Sequence, residues 1–154
     1  MSSSNLSSTS KLERIRQLFD EDRLEEALQY IEKAGSPSPE LRSALGVCLM
    51  RLGRTDRAVV VLRELVFGKL MCIPSDTPPL FQANYATSLL LKGHNQAAID
   101  LVKTLNASDH PYIARLQQAI AQWRKSLPVH RRIACLMSLY PKVPVKLDFP
   151  PGEV

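Results

Sequence analysis

Apolar and small residues recur along the chain at fixed offsets from three alanines, Ala27, Ala58 and Ala98. Twelve residues before them stand Ile15, Gly46 and Ala86, and nine before stand Leu18, Leu49 and Leu89. Five before are Asp22, Gly53 and Gly93; four after are Ile31, Leu62 and Val102; seven after are Ala34, Leu65 and Leu105. The alanines are 31 and 40 residues apart. The pattern predicts amphipathic helices in pairs: Lys11 to about Asp20 with Arg23 to Ala34, a second pair to about Leu52 and from Thr55 to Phe67, and a third from about Pro79 to Lys92 and Asn95 to Asn106. Gly35-Ser36-Pro37 breaks the chain after the first pair, and Ser38-Pro39-Glu40 opens the second with a cap serine and a first-turn proline. The segment from Gly68 to Pro79 interrupts the array and accounts for the longer interval. Asp109-His110-Pro111 starts a helix to about Ser126, and Pro128 opens a last one to about Tyr140.

A helix pair cannot bury its own apolar stripe, so pairs with this pattern must stack. Backbones that cross closely need small residues, a need met by Gly46, Ala86 and the three marker alanines. Gly53 and Gly93 suit a left-handed residue that ends the first helix of each pair. The offsets together resemble those of the tetratricopeptide repeat, over roughly residues 11–126. Ile15 and Asp22 depart from the small residue and the glycine of that pattern. The resemblance implies an all-α fold: a right-handed superhelical stack of about three repeats and a half repeat. A C-terminal capping helix with Val129, Ile133, Leu136, Met137 and Tyr140 on one face would cover its end. Three divisions follow: a disordered serine-rich leader over residues 1–10, the helical array over 11–140, and a proline-rich extended tail over 141–154.

The resemblance also implies a function class, a groove that holds a peptide or helix of a partner protein. It places Leu12, Arg16 and Phe19 of the first pair there, with Ser43, Val47, Met50 and Arg51 of the second. Ala83, Thr87, Leu90 and Leu91 come from the third pair, and Gln117, Ala121, Arg124 and Lys125 from the half repeat. Exposed Leu, Met and Phe would make an apolar patch edged by positive charge, suited to an apolar or amphipathic segment carrying acids. Met50, Leu90 and Leu91 have a second reading, packed against neighbouring helices or the tail. Repeat domains of this kind that grip chaperone C-termini use a Lys/Asn/Arg clamp. Asn84 matches one clamp asparagine, but Ser43, Val47 and Leu80 stand where Lys, Asn and Lys are required, so that specialisation is not expected.

Charge supplies a rival. Residues 1–40 hold five basic and eight acidic residues, net −3, whereas residues 41–154 hold fifteen and seven, net +8. Arg115, Arg124, Lys125, Arg131 and Arg132 lie in a stretch without acids and could meet nucleic acid or an anionic membrane surface. No aromatic interleaving or helix-turn-helix signature accompanies them. The tail suggests a third idea: Val143, Val145, Leu147 and Phe149 alternate with Pro144, Lys146 and Asp148, a segment able to fill the groove of its own or a neighbouring molecule, by autoinhibition or self-association.

The sequence shows no catalytic constellation, and neither metal nor cofactor is expected. His94, His110 and His130 have no second ligand at metal spacing, and Glu25-Glu26 sits on a solvent face. The three cysteines, Cys48, Cys72 and Cys135, are odd in number and widely spaced, which points to a reducing cytoplasm. Apolar runs stop well short of the ~20 residues that span a bilayer. Residues 1–10 lack the apolar core of a secretory signal. The expectation is therefore a non-enzymatic binding protein of the cytoplasm.

Overall fold

The structure, a computed structural model, describes residues 3–34, 38–70, 72–137, 139–143 and 145–154. Met1, Ser2, the break at Gly35-Ser36-Pro37, and Pro144 of the tail lie outside them. The described residues form eight helices and no strand: α1 (Ser3–Asp20), α2 (Leu24–Lys33), α3 (Pro39–Arg51), α4 (Thr55–Phe67), α5 (Pro79–Leu91), α6 (Asn95–Lys103), α7 (Pro111–Ser126) and α8 (Val129–Leu136).

The recurring offsets become three equivalent corners. Asp22, Gly53 and Gly93 all adopt left-handed backbone, with φ of +56°, +72° and +82°. The next residue in each corner, Arg23, Arg54 or His94, donates its N–H back across the corner to the carbonyl of Leu18, Leu49 or Leu89, at 2.8, 2.8 and 2.9 Å. This is the bond that satisfies the orphan carbonyls of a helix end in a Schellman turn. The same residue's carbonyl then accepts from the marker alanine, Ala27, Ala58 or Ala98, and so starts the second helix. Asp22 holds the glycine position of the first corner at some steric cost, which its short polar side chain limits.

Each helix contacts the next in sequence, and α1, α3, α5 and α7 also contact one another in series. The even-numbered helices make no such mutual contacts among the described residues. The odd-numbered row is therefore the tighter, inner layer of the stack. Small residues allow the approach: Ala27, Ala58, Ala86 and Ala98 are fully buried. A β-carbon on Gly46 would stand 2.4 Å from Leu62 Cγ, so α3 and α4 require glycine there. Ile15, where the repeat asks for a small residue, is instead a fully buried core side chain. The cap serine matches the sequence, Ser38 Oγ accepting from the Leu41 N–H at the start of α3, and at α7 His110 Nδ1 accepts from the Tyr112 N–H.

Three features differ from the sequence reading. α1 begins at Ser3 and so takes in the serine-rich segment from that residue; no proline or glycine interrupts residues 3–20. α8 ends at Leu136 rather than near Tyr140. Its apolar face also points outward: Val129, Ile133, Leu136 and Met137 are exposed, and Cys135 is its buried residue. The reason is the linkage between α7 and α8. Pro128 turns the chain sharply, and Arg132 donates to the Leu127 carbonyl at 2.8 Å and to the Lys125 carbonyl, capping α7 and fixing the face α8 presents. Trp123 and Leu127 beneath it are buried. Cys48 and Cys135 are buried and Cys72 exposed; burial pushes the Cys48 thiol up to about 11. No helix among the described residues is long and apolar enough to cross a membrane.

Candidate binding groove

The inner layer is crossed by the chain's own last residues. After α8 the chain returns along the array: Asn95, at the start of α6, donates to the carbonyls of Pro141 and Val143, both at 2.8 Å. Val145 is buried in the core, and Leu147 and Phe149 pack against it. The Phe149 ring then meets Tyr112 of α7 edge-on, with centroids 5.6 Å apart. From there residues 150–154 pass over α5, α3 and α1.

What holds this segment is almost entirely side chain to backbone. Asn84 of α5 accepts from the Glu153 N–H through Oδ1 at 3.0 Å and donates to the Glu153 carbonyl through Nδ2 at 2.8 Å. One carboxamide thus imitates a rung of a β-ladder. Its other amide hydrogen goes to Ser43 Oγ at 3.0 Å, so this fully buried side chain has every group satisfied. Tyr112 Oη accepts from the Gly152 N–H at 2.8 Å. Thr87 Oγ1 spends its hydrogen on the Ala83 carbonyl, so Tyr112 must donate its own hydrogen to Thr87, 2.7 Å away. Burial raises the pKa of that phenol. Arg51 of α3 donates to the Gly152 carbonyl at 3.0 Å and the Pro151 carbonyl at 3.4 Å, with its guanidinium 4.7 Å above the Phe19 ring. Arg16 of α1 donates to the Val154 carbonyl at 2.8 Å. Pro150 and Pro151 have no N–H that needs a partner.

Gly152 is the tightest point. Its φ is +77°, and a β-carbon there would stand 2.7 Å from Met50 Cε and 2.8 Å from Val47 Cγ2. Beside the segment lies a cavity of about 320 Å³ whose walls include Arg16, Arg51, Arg115, Asp20 and Glu153.

The sequence-derived groove residues fall into separate groups. Arg16, Ser43, Val47, Met50, Arg51 and Thr87 lie at the tail or one hydrogen bond from it. Phe19 is buried under Arg51; Ala83 and Leu90 are buried; Leu12 is half-buried on the core; Leu91 is exposed. The exposed patch of Phe, Met and Leu is not there: Phe19, Met50 and Leu90 are all covered. Gln117, Ala121 and Arg124 line a different hollow of about 200 Å³ with Ile99, Val102 and Lys103 of α6. Lys125 lies with Arg124 against α8. Tyr112 and Arg115 carry no groove signal in the sequence, since a tyrosine at core spacing bears no mark of its second role. Asn84 had a usable signal, an amide on a helix face otherwise filled by Ala83, Thr87 and Leu90.

Among the described residues no group of three or more His, Cys, Asp or Glu is placed to hold a metal ion. Set against family models, curated proteins and solved structures, the chain matches none of them.

Proposed function

We propose that the protein is a protein-binding module of the tetratricopeptide-repeat type, an adaptor, assembly factor or chaperone-like scaffold whose inner face takes an extended segment of a partner. One observation carries this reading: Asn84, Tyr112, Arg51 and Arg16 present donors and acceptors matched to a peptide backbone, and a peptide segment lies on them. Side-chain amides and guanidiniums directed at main-chain groups recognise an extended chain without demanding many particular side chains.

The rival reading, electrostatic binding of nucleic acid or an anionic membrane, rests on Arg115, Arg124, Lys125, Arg131 and Arg132, of which Arg132 is engaged with the carbonyls of Lys125 and Leu127. Selection of peptides on the full chain from a random display library, followed by nuclear magnetic resonance, separates the two. Peptides that bind should move the Asn84 side-chain amide and the Gly152 signal. Ligands that leave both unmoved, shift Lys125 and Arg131, and release at moderate salt would replace this proposal with the electrostatic one.

A further inference from the structure

The segment on the inner face is itself a description of what the site accepts. Position by position, the demands differ. Phe149 supplies an aromatic edge to Tyr112. Pro150 and Pro151 hold the chain extended and bring no unpaired donor. At Gly152 two independent constraints coincide, a left-handed backbone and no room beside Met50 and Val47. At Glu153 only backbone groups are read, both by Asn84. Arg16, Arg51 and Arg115 stand around the adjoining cavity against one other acid, Asp20, and this excess of positive charge favours an acid at that point.

Building on the peptide-groove reading, we infer that the site selects a partner segment of the pattern aromatic–Pro–Pro–Gly–acid, and that residues 149–153 of the protein occupy it in cis until such a segment displaces them. The glycine is the specificity-determining position. Other features of the segment tune affinity, whereas any β-carbon at that position meets α3. Cis occupancy has a quantitative consequence. A tethered segment competes at an effective concentration set by its short connection to Val145, and lowers the apparent affinity of any free peptide by the fraction of time it is docked.

The test uses the full chain and a synthetic peptide, Leu-Asp-Phe-Pro-Pro-Gly-Glu-Val, followed by calorimetry and by the Gly152 and Asn84 resonances. Two variants open the site by different means. Gly152→Val puts a side chain against Val47 and Met50, and Glu153→Pro deletes the N–H that Asn84 accepts. Each changes one tail residue outside the helices, and each must keep the helical circular dichroism of the parent. If one does not, the other carries the test.

The expected result is binding at least tenfold tighter to the opened variants than to the parent chain, with loss of that binding when the peptide's glycine is replaced by alanine. Equal affinity for parent and variants would overturn cis occupancy. Equal affinity of the glycine and alanine peptides would overturn the glycine rule. If this peptide fails while a display-selected peptide of another pattern displaces the tail, the inference falls and the groove stands. If no segment displaces the tail, both fall. Binding accompanied by a doubling of molecular mass in the parent chain alone would assign the site to the tail of a second copy and overturn cis occupancy.

Discussion

Two apolar helix faces in this protein look alike in the sequence and end differently. The inner face of α3 and α5 carries Val47, Met50, Ala83 and Leu90, and all are buried. The face of α8 carries Val129, Ile133, Leu136 and Met137, between 56% and 77% exposed. Both follow helical spacing, and both adjoin arginines. The difference lies in the cover. Neighbouring odd-numbered helices and residues 149–154 close the first face, with the polar edge of that cover satisfied by Asn84, Tyr112, Arg51 and Arg16. The second has α7 on one side and nothing further among the described residues. Periodicity therefore identifies a face that is able to be buried, and a covering segment with matched hydrogen bonds decides whether it is.

Substitutions that strip the polar edge should bring the first face toward the second. Asn84→Ala leaves Ser43 and both Glu153 backbone groups without partners. The expected loss is about 3 kcal/mol, given about 1–3 kcal/mol for each buried group left unsatisfied. Urea unfolding measures it, and hydrogen exchange at Glu153 should accelerate with it. Gly152→Ala should cost less, roughly 2 kcal/mol, because the tail can lift away and cap the strain. The Gly152 region, and not α3, should then lose exchange protection.

Tyr112→Phe removes the acceptor for the Gly152 N–H and the donor to Thr87, for an expected loss of about 1–2 kcal/mol by urea unfolding. The same phenol makes a pH prediction. Its folded pKa is raised above the ordinary value of 10.0, chiefly by burial, so the folded state prefers the protonated form. The stabilisation is complete below pH 10 and is lost as pH rises further. Unfolding curves should weaken above pH 10 in the parent and less so in Tyr112→Phe. On the open face, Leu136→Gln should change stability by no more than about 0.5 kcal/mol, since nothing is uncovered. A loss above 1 kcal/mol would show that the α8 face is covered in solution and remove the contrast.

The corners were legible because each is local. A left-handed residue, an apolar position four before it and an alanine five after it are read within a dozen residues, and the structure repeats the same two bonds at the corners of Asp22, Gly53 and Gly93. Even Asp22, which breaks the glycine rule, follows its place in the repeat. The site was legible only in part. Ser43 and Thr87 appeared by helix position, yet their roles depend on Asn84 and Tyr112, which join helices 41 and 25 residues away in sequence. Gly152 gave no sign of its importance, because its neighbours Val47 and Met50 lie some hundred residues earlier. The spacing on α8 predicts an inward face, but spacing alone does not say on which side a neighbour stands.

The pairing of the helices and their three corners follow from local pattern, because turns, caps and small residues at crossings act through neighbours in the chain. Which inner face is closed, by what, and with which polar partners was decided by tertiary structure. There Asn84, Arg51 and Tyr112 each satisfy backbone groups of a segment that the chain brings back from its far end, and no local pattern records that return.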